Sequence, residues 1–229
     1  MKISGFIFAL FLISTPIFSQ KNKARISGNA HVTVVDTIKK KTATEHFSVG
    51  IDLCGAMMAA ATSWGQYEGS LKVGFFSPFY PVAEVGIGCS NAKSEETDLK
   101  YKTHSPYFRL GCDYNFSHRS TFPGRIIAGV RYGFSRFNFD VRSTDIKDPI
   151  YGNDVSFSVS SAKSTIHWAE VVAGLETRIV GPLSLGWTFR YKIRIAEKVP
   201  SVGHAWYVPG YGRNDSHALG GTFNLILNL

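Results

Sequence analysis

From residue 46 onward the chain alternates apolar and polar residues with a period of two, in eight runs of about ten residues each. Phe47, Val49, Ile51 and Leu53 alternate with His46, Ser48, Gly50 and Asp52. Tyr67, Leu71, Val73 and Phe75 alternate with Glu68, Ser70, Lys72 and Gly74. The third run sets Ala83, Val85, Ile87 and Cys89 against Glu84, Gly86 and Gly88. The fourth sets Phe108, Leu110, Cys112, Tyr114 and Phe116 against Tyr107, Arg109, Gly111, Asp113 and Asn115. Ile126 to Phe134 interleave with Arg125, Gly129, Arg131, Gly133 and Ser135, and Ala169 to Leu175 with Glu170, Gly174 and Glu176. The seventh run, Leu183 to Ile195, interleaves with Ser184, Gly186, Thr188, Arg190, Lys192 and Arg194. The eighth closes the chain at Leu219 to Leu229. A period of two puts alternate side chains on opposite faces of a strand, so the chain reads as all-β.

The polar face decides which all-β architecture is meant. A soluble sandwich turns its polar stripe to water, where any soluble residue serves. Here that stripe is glycine plus charge of both signs, the pattern needed where side chains share a narrow interior. Runs of about ten residues also suit tilted strands that cross a bilayer. The expectation is an eight-stranded antiparallel up-and-down transmembrane β-barrel. The connections agree: long links over 55–66, 90–105, 140–164 and 196–216 alternate with short ones over 77–80, 117–124 and 179–182. Outer-membrane barrels sort their links in this way, long loops outside and short turns in the periplasm. Gly221 to Leu229 reads as a C-terminal strand of the kind recognised by barrel-insertion machinery.

Before the first run, Met1-Lys2, the apolar run Ile3 to Leu12, and Ser14 to Ser19 have the shape of a secretory leader cut after Ser19. The expected organisation is therefore a signal peptide over 1–19, a basic periplasmic tail over 20–45 and a barrel over 46–229. No stretch is apolar for the roughly 20 residues a membrane-spanning helix needs. The formal charge is +8, from 25 Lys and Arg against 17 Asp and Glu. Much of the excess lies in the tail, where Lys21, Lys23, Arg25, Lys39, Lys40 and Lys41 face only Asp36 and Glu45. A basic face for nucleic acid is not formed.

The expected lumen is nearly balanced. Its acids are Asp52, Glu68, Glu84, Asp113, Glu170 and Glu176; its bases are Lys72, Arg109, Arg131, Arg178, Arg190, Lys192 and Arg194. An isolated charge in a narrow barrel carries a severe desolvation penalty, so these groups are expected to pair across the interior. Eight strands enclose a space that side chains fill. The lumen is expected to be a salt-bridged plug, not a diffusion pore.

Catalysis by a small barrel would need a histidine beside a hydroxyl near the outer rim. His104-Ser105, Thr165 with His167, His204 and Ser216-His217 are the candidates, and adjacency in sequence does not bring them to bonding distance. There is no metal-ligand spacing, and neither metal nor cofactor is expected. Cys54, Cys89 and Cys112 are read as free thiols. Phe75, Phe76, Phe79, Tyr80 and Phe116 are expected as one interfacial aromatic belt, with Phe137, Phe139, Trp206 and Tyr207 as the other. Trp206, Tyr207, Pro209 and Tyr211 combine aromatic anchors with turn chemistry in a long loop, and are the expected contact with a protein partner.

Four segments in order, Gly111-Cys112-Asp113-Tyr114-Asn115, Arg131-Tyr132-Gly133-Phe134-Ser135, His167-Trp168-Ala169-Glu170 and Tyr207-Val208-Pro209-Gly210-Tyr211, resemble a family of small exported barrels of unknown function. The resemblance covers most of the chain after residue 45. It implies an outer-membrane location in Gram-negative bacteria and no assigned activity. With a closed lumen and no convincing catalytic set, the expected role is a non-enzymatic accessory or scaffold subunit of a larger outer-membrane assembly, such as protein insertion or export machinery. Its expected partners are outer-membrane lipids, lipopolysaccharide and other outer-membrane proteins. A lipid A-modifying enzyme and a surface adhesin or ligand-binding barrel are the alternatives.

Overall fold

Strand pairing follows the chain order and then closes on itself. In a computed structural model that describes residues 46–74, 78–93, 99–117, 124–147, 154–201 and 203–229, the elements are β1 (His46–Asp52), α1 (Leu53–Ala61), β2 (Trp64–Gly74), β3 (Phe79–Lys93), β4 (Lys100–Asn115), β5 (Gly124–Lys147), β6 (Asp154–Val180), β7 (Leu183–Lys198), β8 (Tyr207–Val208), β9 (Gly212–Arg213) and β10 (His217–Asn228). Eight strands form a closed barrel in the order β1-β10-β7-β6-β5-β4-β3-β2. Every pair in it is antiparallel, and β10 closes the ring on β1 through Ser48↔Asn228 to Asp52↔Asn224. Closure leaves no unpaired edge between first and last strands. β8 and β9 form a separate two-residue hairpin. The expected leader and tail, with Phe75 and Phe76, lie outside the described residues.

The wall is inside out. Phe47, Val49, Ile51, Val85, Ile87, Phe108, Leu110, Val130, Tyr132, Val171, Trp187 and Phe189 are exposed, while Arg109, Arg131 and Arg190 are only 1–4 % exposed. Period-two geometry makes this an all-or-none choice, since a slip of one residue would turn every side chain to the other face. A contiguous apolar exterior of this kind suits acyl chains. Val130→Arg, on that face, is therefore expected to destabilise the barrel in bilayers by about 2–4 kcal/mol, checked by urea titration in liposomes.

The polarity reverses partway along the longest strands. On β5 the inward positions run Arg131, Gly133, Ser135 and then Phe137 and Phe139, both buried, while Arg136 and Asn138 point outward. The barrel wall thus continues beyond its apolar band as an ordinary hydrophobic-in, polar-out sheet. Phe137 and Phe139 are core residues, not the interfacial belt expected from the sequence. They join Tyr101, Tyr107, Ile166, Trp168, Tyr207, Val208 and Tyr211 in one cluster inside the ring. For the same reason most of the expected loop 140–164 is strand: β5 and β6 pair out to Lys147↔Asp154, with irregularities at Phe139/Val141 and Ser143/Ile146.

Nor is the expected loop 55–66 irregular. Asp52 accepts hydrogen bonds from the backbone N–H groups of Cys54 and Gly55 and starts the helix α1. Its sequence, LCGAMMAAA, carries no charge. Cys54, Cys89 and Cys112 are each unbridged.

Candidate functional site

Six consecutive strands, β2 to β7, deliver charged side chains to the barrel axis, and their register sets opposite charges side by side. Glu84 stands opposite Arg109, Arg131 opposite Glu170, Glu170 opposite Lys192, and Arg125 opposite Glu176. Opposite charges in directly paired positions favour that register over its neighbours.

The centre of the network is Arg109. Its Nη1 donates to Glu68 (2.6 Å) and Glu84 (3.0 Å), its Nε lies 2.9 Å from Glu170, and its Nη2 donates to the Gly210 carbonyl at 2.7 Å. Arg190 crosses from the other wall to Glu84 (2.6 Å), Glu170 (3.2 Å) and Glu68 (3.4 Å). Arg131 joins this cluster to a second one by binding both Glu84 (3.2 Å) and Asp113 (2.7 Å). In the second cluster Lys72 pairs with Asp113 at 3.3 Å and with Glu176, and Arg125 reaches Glu176 at 3.1 Å. Each carboxylate thus meets at least one base, which is how charges survive in a desolvated interior.

Neutral donors complete the shell. The Tyr107 hydroxyl donates to Glu68 at 2.5 Å and the Trp168 indole to Glu170 at 2.6 Å. Trp168 fits because its cross-strand neighbour is Gly133, where any Cβ would overlap the indole ring. Sequence reasoning left Arg125, Tyr107 and Trp168 out of the network. Inward parity is the signal that marks all three; Tyr107 and Trp168 carry no formal charge and join as neutral donors.

Three expected members have other places. Asp52 caps α1 and also accepts from the Phe223 backbone N–H, without an ion pair among the described residues. Arg178 is exposed beside the β6–β7 turn. Arg194 lies nearer the far mouth, bonded to Glu197 (3.0 Å) and Asn214 (2.8 Å), where the His204 ring also meets Glu197 at 3.1 Å.

The segment 205–211 folds into the barrel mouth. Tyr207, Val208, Pro209 and Tyr211 are buried, whereas Trp206 is half exposed. This corrects the expectation that Tyr207, Pro209 and Tyr211 face a partner. Their backbone carbonyls are captured from below and from the side: Gly210 by Arg109 and by Lys192 (2.8 Å), Tyr211 by Lys192 (3.0 Å), and Tyr207 by the Tyr101 hydroxyl (2.7 Å). Tyr211 packs edge-on against Trp168 at 5.8 Å. Gly210 has φ +78°, and a Cβ there would enter the Tyr107 ring. Only glycine fits both demands. The result is an ionic stack capped by an aromatic plug.

A closed, inside-out, eight-stranded up-and-down ring with a filled lumen is the architecture of a small outer-membrane β-barrel. Residues 2–228 match the family described as a domain of unknown function, DUF6048, and the chain belongs to that family. Among solved structures, it is similar to a major outer membrane protein from Thermus thermophilus (13% identity, 81% of this chain and 99% of that one, TM-score 0.43). It is also similar to the N-terminal β-barrel domain of Pseudomonas aeruginosa OprF (10% identity, 81% and 96%, TM-score 0.39) and to Neisserial surface protein A (11%, 81% and 94%, 0.40). No match is found among curated proteins.

Proposed function

We propose that this protein is a non-catalytic outer-membrane barrel that serves as an accessory or scaffold subunit of a larger outer-membrane assembly, with its short turns in the periplasm and its long connections outside. The observation that carries this reading is the filled interior: five acids and five bases pair with one another, Lys192 is taken up by the Gly210 carbonyl, and buried residues 207–211 lie in the mouth. A barrel so filled has little to offer a solute passing through it. What it can present is its wall and its far rim. There Trp206 is the expected contact residue that stays exposed, and the uncharged α1, with Met57 72 % exposed, adds apolar surface.

The rim histidines meet partners of several kinds. The Tyr132 hydroxyl lies 2.6 Å from His167 Nδ1, His204 meets Glu197, and His217 stacks on Tyr191. Affinity purification of the tagged full chain from cells solubilised in a mild non-ionic detergent tests the proposal. Stoichiometric recovery of another outer-membrane protein, reduced by Trp206→Ala, is the expected result; recovery of the barrel alone, after cross-linking in intact cells, overturns it.

A further inference from the structure

The outer wall changes chemistry at one height on adjacent strands. On β4 the outward positions Leu110 and Phe108 are followed, past Pro106, by His104, Lys102 and Lys100, all three exposed. On β5, Val130 and Tyr132 give way to Arg136 and Arg142; on β6, Val171 and Ala169 give way to Lys163. Lys198 of β7 stands beside Thr165 in the same tier.

Among the described residues of β4 to β7 this shelf has six permanent bases and one outward acid, Asp140, which stands directly across from Lys102 and accepts from the Ser161 backbone N–H at 2.7 Å. Lys100 is paired directly across from Arg142. Like charges in that position oppose each other unless an anion lies between them. These bases follow directly, along their strands, on the outward Phe108, Leu110, Tyr132 and Val171 of the apolar band. The bases therefore stand at the level where a bilayer carries its headgroups.

The shelf is one-sided. Outward positions of β1 and β10 are Phe47, Val49, Ile51, Leu219, Gly221 and Phe223, with only His217 titratable. At one end of the shelf, between α1 and β4, the wall also opens into a groove of about 520 Å³. Its lining mixes Ala59, Trp64 and Cys89 with hydroxyl and amide side chains such as Ser63, Ser90 and Asn91, and Lys102 and His104 stand on the β4 side. Cys89 is the cross-strand partner of His104, so apolar floor and cationic edge belong to the same strand pair. The volume lies in the range of pockets that hold a small organic ligand, about 300–1,000 Å³.

We infer that this groove and shelf bind a phosphorylated acyl lipid of the surrounding leaflet, an acyl or sugar portion against Ala59 and Trp64 and the phosphate on Lys102 and His104. Arg136 and Lys163 extend the phosphate-binding edge to neighbouring lipids. An acidic protein surface would satisfy the charges but would leave Ala59, Trp64 and the exposed apolar residues of the wall uncovered. The inference rests on the outer-membrane reading given above.

The test uses the full-length barrel, refolded in neutral detergent and mixed with bis-phosphorylated lipid A, dephosphorylated lipid A or inorganic phosphate, with bound adducts counted by native mass spectrometry. Phosphorylated lipid A is expected to be retained about tenfold better than the dephosphorylated form, unaffected by millimolar phosphate. The double variant Lys102→Glu/Arg136→Glu is expected to lose that preference while keeping the heat-modifiable gel mobility of the folded barrel. Trp64→Ala, which leaves the charges in place, should weaken retention of both lipids. Equal retention of the two lipids, or full retention by the double variant, overturns the inference alone. Failure of the wild-type protein to insert into liposomes overturns the membrane reading and this site with it.

Discussion

Arg109→Met is expected to destabilise the barrel by about 3–5 kcal/mol, because it strips a central base from three buried carboxylates at once. Glu68, Glu84 and Glu170 all lie within 3.0 Å of this guanidinium. Methionine replaces the bulk of the stem, so the loss measures the charge and its hydrogen bonds more than a cavity. Arg190 still reaches all three acids, which holds the effect below complete unfolding. Urea unfolding in liposomes, followed by tryptophan fluorescence, gives the size of the effect. Adding Glu170→Gln to Arg109→Met removes one orphaned charge and is expected to recover part of the loss, the non-additivity that contacting groups show. An unchanged midpoint for Arg109→Met would mean that these carboxylates are solvated and the lumen is wet.

Gly210→Val is expected to release the mouth plug and leave the ring intact. Valine at φ +78° is strained, and its Cβ enters the space of the Tyr107 ring. The combined penalty is of the order of 2–4 kcal/mol, concentrated in one short hairpin. As the hairpin lifts, Arg109 and Lys192 lose the Gly210 carbonyl that both now bond. Limited trypsin digestion of the protein in bilayers is the measurement. Cleavage after Lys198 or Arg213 is expected to accelerate strongly, with the membrane-embedded fragments still holding together. Unchanged digestion would show that residues 205–211 are held by contacts other than those that surround Gly210.

How far the chain discloses this arrangement depends on what kind of signal each part carries. The barrel is legible because alternation is a local property: Arg109, Gly111 and Asp113 share a face whatever the rest of the molecule does. The inward charge set was legible for the same reason: Glu68, Glu84, Arg109, Arg131 and Arg190 do meet inside the ring. Asp52 caps α1 instead of joining the ion pairs, because parity alone does not distinguish a lumen carboxylate from a helix cap. The helix itself hid in a sequence of alanines and methionines that follows a strand without a break. Phe137 and Phe139 keep the inward parity of Arg131; their apolar character suggested a lipid contact because polarity on this strand reverses beyond the membrane band, and nothing in a two-residue period marks where the band ends.

The plug lay beyond reach for a different reason. Tyr207, Pro209 and Tyr211 sit in a segment with turn chemistry, and such segments usually lie on the surface because their backbone groups need water. Here the carbonyls of Tyr207, Gly210 and Tyr211 are met by Tyr101, Arg109 and Lys192, donors 18 to 106 residues away along the chain. The amino-acid order by itself determined strand number, facing and the need for internal charge balance, all consequences of backbone periodicity and desolvation. Only the closed tertiary structure decided which base meets which acid and what fills the mouth, because those contacts form between side chains that come together after the ring has shut.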